Sequence, residues 1–261
     1  MCCFSGPVRW VGQTRIYARA TDARRQLLVY GMSFDSAADV AMILPLPVAR
    51  DGGPRVDDDA LRFVDLSPWP GFFDDLALAF PAELARGGAP FLAPQAKRQT
   101  LAVHRVGDFE ASYVPTVADF ARLDARFRMP RAVWSALPAY ADFGFAVFQL
   151  GATTAPSFWP WRRKAAPRTV HPMAFEFPRA RPGEVFFPTL HVHDGRVRAD
   201  AVVDHTLYLQ AAAAPDGWVA SSAALGALVA ARVPGVLDAA APAFKKDLGG
   251  RLPNRDVTLA V

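Results

Sequence analysis

The chain has 261 residues, of which 52% are hydrophobic and 21% charged, and it carries a formal charge of +4. That apolar fraction excludes a disordered chain, and two cysteines exclude a disulfide scaffold. The length suits one domain, 1–261, with a core that needs no covalent staples. Basic residues cluster only at Arg24–Arg25 and Arg162–Arg163–Lys164, in turn-like or loop-like sequence. No nucleic-acid partner is expected from such a distribution.

The opening stretch, Met1 to Pro7, has no basic segment followed by an apolar one, so no leader is read there. The most apolar late stretch, Val219 to Leu237, is interrupted by Arg232 and Pro234 and makes a poor membrane span. A cytoplasmic protein without a membrane partner is expected, with Cys2 and Cys3 as reduced thiols.

In chain order, Arg15–Arg19 and Leu27–Met32 read as two strands joined by a polar turn at Asp22–Arg25. The run from Ala41 to Val48 carries Pro45 and Pro47, two missing donors on one side, and reads as an edge strand or as one that ends against a cavity or another element. Asp51–Asp59 is a polar loop, and its aspartates 57–59 lack the ligand spacing of a cation site. Leu61–Leu66 is a short strand. Phe72, Leu76 and Phe80 recur at helical spacing beside Phe73, after a start signal at Ser67 and Pro68 or Pro70.

Thr100–Val106 and Phe109–Val114 flank Gly107–Asp108 as a hairpin. Thr116 and Asp119 form a capping-box pattern ahead of a helix with Phe120, Leu123 and Phe127 on one face, which Pro130 stops. A short helix follows around Val133–Leu137, then a buried strand at Phe143–Leu150 and a loop rich in Pro and Trp at Thr153–Pro167. Ala174–Gln210 is β again. Thr189–His193 and the residues from Arg196 onward flank Asp194–Gly195, a type I′ hairpin signal. Ser221–Leu248 is Ala-rich and helical in pattern. The expected architecture is α+β: largely antiparallel sheets with flanking helices, β-rich to about 210 and helical over 218–248.

Two groups of residues point to chemistry. Removal of Met1 would leave a free amine beside the Cys2 thiol. Such a pair can act as nucleophile and base, or chelate a soft or borderline metal. Cys2 and Cys3 can also be small apolar residues of a first strand. The second group is His191 and His193, which share a strand face, with His205 beyond the turn. Three imidazoles, with Cys2 and Cys3, make a ligand set for Zn, Cu, Fe or Ni. Strand histidines can equally be local hydrogen-bonding groups. A perfect hairpin about Asp194–Gly195 leaves His205 out of register with the pair, so a bulge or another partner strand is needed to bring it in. His171 and His104 read as structural.

There is no P-loop, GxGxxG, GxSxG, HExxH or CxxC. Phe158, Trp159 and Trp161 could line a ligand surface or anchor their own loop.

Two resemblances add expectations. Some bile-salt and penicillin amide hydrolases begin Met-Cys and carry an Arg and an Asp at a spacing similar to that of Arg19 and Asp22 here. This resemblance implies Cys2 as nucleophile with Arg19 and Asp22 orienting. The Asn those enzymes place in the Arg–Asp segment is missing from Tyr17–Asp22. Over most of its length the chain resembles a bacterial family of uncharacterised proteins. The residues are Met1–Ser5, Asp39–Pro47 with its Ala-Met-Ile-Leu-Pro-Leu-Pro strand, Phe109–Pro115, His171–Phe175 and Phe187–Gly195. That family brings no established activity.

Three readings follow. The first is a metal-binding or thiol-dependent site of Cys2, Cys3, His191, His193 and His205. The second is an N-terminal-nucleophile amide hydrolase of Cys2, Arg19 and Asp22, acting on a small-molecule or peptide substrate. The third is a non-enzymatic binding domain.

Overall fold

The computed structural model describes residues 2–50, 60–80, 104–106, 109–152, 168–222, 224–226 and 232–261. Its strands in chain order are β1 (Cys2–Phe4), β2 (Trp10–Ala20), β3 (Arg25–Asp35), β4 (Val40–Leu46), β5 (Arg62–Val64), β6 (His104–Val106), β7 (Phe109–Val114) and β8 (Gly144–Leu150). They continue with β9 (Arg168–Thr169), β10 (Met173–Pro178), β11 (Glu184–Phe187), β12 (His191–Val192), β13 (Asp200–Gln210), β14 (Val219–Ala220), β15 (Phe244–Pro253) and β16 (Val257–Ala260). The α-helices α1 (Phe72–Ala77) and α2 (Arg131–Ser135) are short.

A six-stranded sheet runs β12-β1-β4-β8-β7-β6. An eight-stranded sheet runs β14-β15-β13-β2-β3-β10-β5, with β9 on β3, and β11 pairs with β16 separately. Pairing is antiparallel except at β1/β12 and β13/β2. The expected antiparallel-dominated α+β class is what the chain adopts, with more sheet and less helix than the sequence pattern suggests.

Side-chain alternation explains the layering. In β4, Val40, Met42, Leu44 and Leu46 enter a central core with Leu28, Tyr30, Met32 and Phe34 of β3. Ala41 and Ile43 point the other way, into a second cluster with Phe120, Phe127 and Trp134. Leu27 and Val29 of β3 face a third cluster with Phe72, Phe73 and Leu76 of α1. The two large sheets thus sandwich one core, and each is covered outside by short helical segments. Strands buried on both faces need unbroken apolar runs, and β4 is buried along its whole length.

Several expectations change. The run with Pro45 and Pro47 does end against a cavity, which Pro47 walls, but it is not a sheet edge, because β4 lies between β1 and β8. Its pairs with β1 stop at Ile43, however, while those with β8 run from Val40 to Leu46. The proline end therefore has a ladder on one side only, which is what a missing donor tolerates. The Phe120–Phe127 helix is two 3₁₀ turns, Ala118–Arg122 and Ala125–Phe127, separated where Leu123 extends and Asp124 caps Arg126. All three expected apolar residues are still buried.

The hairpin about Asp194–Gly195 does not form. Gly195 has the positive φ of such a turn, but β12 joins β1 while β13 joins β2 and β15. The two arms enter different sheets. The C-terminal helical reading is also corrected, because Val219–Ala220 and Phe244–Pro253 are strands. Its residues 223 and 227–231 lie outside the described set, as do 51–59, most of 100–108 and the loop 153–167 with Phe158, Trp159 and Trp161. No helix among the described residues is long and apolar enough to cross a membrane.

Candidate functional site

The chain's front end does meet the histidine strand. β1 lies parallel to β12, with Cys2 beside His191 and Cys3 beside Val192. Two side chains hold β12 from the far side. The Asn254 carboxamide accepts from the His191 amide at 2.7 Å and donates to the His191 carbonyl at 2.9 Å. It imitates a neighbouring strand's peptide group. Asp256 Oδ1 accepts from the Thr189 and Leu190 amides, each at 2.8 Å, and Oδ2 accepts from the Tyr140 hydroxyl at 2.7 Å.

On that platform three imidazoles form a row. His191 Nε2 lies 2.7 Å from His205 Nε2, and His191 Nδ1 lies 3.1 Å from His193 Nε2. The His191 and His205 rings are stacked at 4.7 Å between centroids, and Phe4 meets His193 edge-on at 5.7 Å. His205 reaches the row from the other sheet, where it sits in register with Thr14 of β2. It is 2% exposed. Burial, foremost, holds all three imidazoles below the ordinary histidine range, to about 2 for His191, about 4 for His193 and about 3 for His205. They are neutral at pH 7.

Proximity does not make this a metal centre. The two nitrogens of an imidazole point outward in divergent directions. His191 directs one to His205 and the other to His193, so the lone pairs form a line instead of converging on one point about 2 Å from each, as a bound ion requires. Among the described residues no group of three or more His, Cys, Asp or Glu could hold a metal ion. The metal reading of Cys2, Cys3, His191, His193 and His205, with Zn, Cu, Fe or Ni, is overturned. The thiol-dependent version fails at Cys3 as well. Cys3 is fully buried among Ile43, Val192 and Leu190, out of reach of an external substrate.

Arg19 and Asp22 stand apart from this end of the fold. Arg19 pairs in register with Gln210, whereas His205 pairs with Thr14. The five-residue offset along β2 is about 17 Å. Arg19 donates to the Gly235 and Val236 carbonyls. Asp22 accepts from the Arg24 and Arg25 amides, each at 2.6 Å, and those bonds hold its carboxyl below the usual range. Both residues tie loops together, and the structure does not gather them around Cys2. His171 Nδ1 lies 2.9 Å from the Pro172 carbonyl oxygen, a local contact. His104 lies in β6.

Two concavities among the described residues lie elsewhere, and sequence reasoning missed them. One cavity of about 310 Å³ is walled by Pro47, Phe143, Phe177 and Phe186, with Arg179 between them. A second, of about 700 Å³, has Arg19, Arg179, Gln210 and Asp238 in its wall. Arg179 is common to both, and it is 5% exposed. Its Nη atoms donate to the carbonyls of Asp22, Ala23 and Glu184 at 2.9–3.0 Å, while Nε has no partner. Burial works against the charge of this guanidinium, and the Asp22 carboxylate supports it. Elements distant in sequence build these walls, so no local spacing announces them.

No family model and no curated protein matches the chain. Among solved structures it is similar to baculovirus P35, with a TM-score of 0.43 and 12% identity, covering 97% of each chain. It is similar to a mutated baculovirus P35 after caspase cleavage, with a TM-score of 0.44 and 11% identity, covering 95% of this chain and 99% of that one. The third is a caspase-8/P35 complex, with a TM-score of 0.43 and 10% identity, covering 95% of this chain and 96% of that one. The resemblance to an uncharacterised bacterial family is thereby corrected: no family model matches the chain.

Proposed function

We propose that the chain is a non-enzymatic binding domain that receives an apolar side chain of a protein or peptide partner. The observation that carries this reading is the cavity walled by Pro47, Phe143, Phe177 and Phe186. Its 310 Å³ falls at the small end of ligand pockets, which begin near roughly 300 Å³. Asp142 is exposed beside it, and Arg181 pairs with Glu184 at 3.2 Å, so the rim is charged. An apolar centre within a polar rim is the usual anatomy of a binding surface. The described groups suited to acid–base work are engaged inside the fold instead. The imidazoles bond one another, and Arg19 and Asp22 hold loops.

The test is a titration of the purified chain with a library of short peptides carrying aromatic or aliphatic residues. A panel of proteases is run beside it, caspases included because caspase-8 accompanies P35 in the third similar structure. Saturable binding without turnover is expected, weakened at least tenfold by Phe143→Ala, a half-buried wall residue. Peptide hydrolysis abolished by Cys2→Ala would overturn the reading, as would binding indifferent to Phe143→Ala.

A further inference from the structure

The buried charges Glu176 and Arg179 are treated differently in this fold. Glu176 is 5% exposed, and Arg25 and Arg62 both pair with it. At the surface Arg9 pairs with Asp35 and Arg198 with Asp194. Arg179 is as buried as Glu176, yet no carboxylate among the described residues lies within ion-pair distance of it. Three carbonyl oxygens satisfy its Nη atoms, and its Nε–H is left with no acceptor. A guanidinium cannot escape by losing its proton, and a buried charge without a counter-charge is costly. Arg19, in the wall of the larger cavity, likewise bonds only backbone carbonyls and has no carboxylate partner among the described residues.

We propose that the ligand supplies the missing counter-charge, as a carboxylate seated between Arg179 and Arg19. This inference rests on the binding reading above and names the ligand class for it: an acidic residue of the partner, adjacent to the apolar one. Because Arg179 walls both cavities, a ring in the smaller one and a carboxylate in the larger one contact the same guanidinium. One feature selects a single negative charge over a phosphate. Asp238 shares the larger cavity's wall, so a doubly charged group would be repelled more strongly by its carboxylate. The Gln210 amide is fully used by the Asp238 and Ala241 carbonyls and so does not compete as a donor.

The experiment compares 3-phenylpropionate, its neutral amide, acetate and inorganic phosphate by calorimetric titration at low salt, on the full chain and on Arg19→Gln. Arg19 is chosen because replacing the buried Arg179 risks the fold. The carboxylate is expected to bind at least tenfold tighter than the amide. Arg19→Gln should bring the two within twofold while leaving the amide's affinity unchanged. Equal affinities in the unmodified chain, a carboxylate advantage that survives Arg19→Gln, or phosphate binding tighter than acetate would each overturn the inference. Binding of the amide alone leaves the apolar site standing without the anion site. Arg19-dependent binding of acetate, with neither ring compound favoured over it, upholds the anion site and removes the apolar one. No binding of any probe overturns both.

Discussion

His191 and His205 meet Nε2 to Nε2 at 2.7 Å, so the pair holds one proton between those atoms and not two. With the pair buried and His193 at the other end of the row, a positive charge has nowhere to go. An unfolded histidine titrates near roughly 6.5, while the three in the fold are held to about 2, 3 and 4. The unfolded chain therefore takes up protons first as pH falls. The stability tied to the neutral row is fully present above pH ~6.5 and is lost progressively as pH drops toward 4, by up to about 2 kcal/mol per imidazole between pH 7 and 5. Urea unfolding across that range should show the decline, and His205→Leu should shallow its slope by about one-third. A flat profile from pH 7 to 5 would contradict a buried neutral row.

Asp256→Ala should cost about 2–3 kcal/mol, because it strips acceptors from the Thr189 and Leu190 amides and from the Tyr140 hydroxyl together. Tyr140→Phe alone, which leaves both amides satisfied, should cost about 1 kcal/mol. Asn254→Ala should act more locally, since it frees both backbone groups of His191. Faster hydrogen exchange at the His191 amide in Asn254→Ala is the expected sign. Unchanged exchange would mean that β1 alone secures this strand.

How much of this was legible beforehand depends on the range of the interaction. The β2/β3 pair, the helix beginning at Phe72 and the buried β8 run follow from local periodicity, although the helix ends at Ala77, short of the expected Phe80. The approach of the N-terminal strand to His191 was expected only as part of a metal or thiol site, and the structure shows the approach without the metal site. What misled was the Asp194–Gly195 turn. Its local chemistry is that of a hairpin, but each arm found a longer-range partner, β1 for one and β2 with β15 for the other. The same rearrangement brings His205 to His191 and lines the imidazoles up nitrogen to nitrogen, which residue types alone do not reveal. Arg179 carried no signal at all. Its importance comes from being buried without a carboxylate, a property of the assembled walls and not of any sequence neighbour.

Gly31 marks where α1 lies closest to its sheet. A Cβ there would stand 2.8 Å from Phe73 Cε2 and 3.0 Å from Cδ2. The Phe73 ring has little freedom to yield, since Phe72 and Tyr208 flank it and Arg15 lies over its face at 5.1 Å. Gly31→Ala should therefore destabilise the fold by about 1–3 kcal/mol, an overpacking effect. Thermal denaturation gives the number. A stability equal to that of the unmodified chain would show that α1 can lift from the sheet without loss.

Gln210 closes the last prediction, because one buried side chain there satisfies four groups. Its Oε1 accepts from the Tyr17 hydroxyl at 2.5 Å and from the Asp238 amide at 2.9 Å, and its Nε2 donates to the Asp238 and Ala241 carbonyls, each at 3.0 Å. Burial pushes the Tyr17 hydroxyl well above the ordinary tyrosine range, so it stays a neutral donor. Gln210→Leu preserves volume but strands those partners, and should cost about 2–4 kcal/mol. Tyr17→Phe removes one donor and leaves the amide its backbone bonds, so about 1 kcal/mol is expected. The 232–243 segment forms part of the larger cavity through Asp238 and Ala241. Loosening it by Gln210→Leu should also weaken carboxylate binding at Arg19, whose guanidinium depends on the Gly235 and Val236 carbonyls of that segment for its position. A variant that loses stability yet binds the carboxylate as tightly as before would separate the loop's packing role from the site.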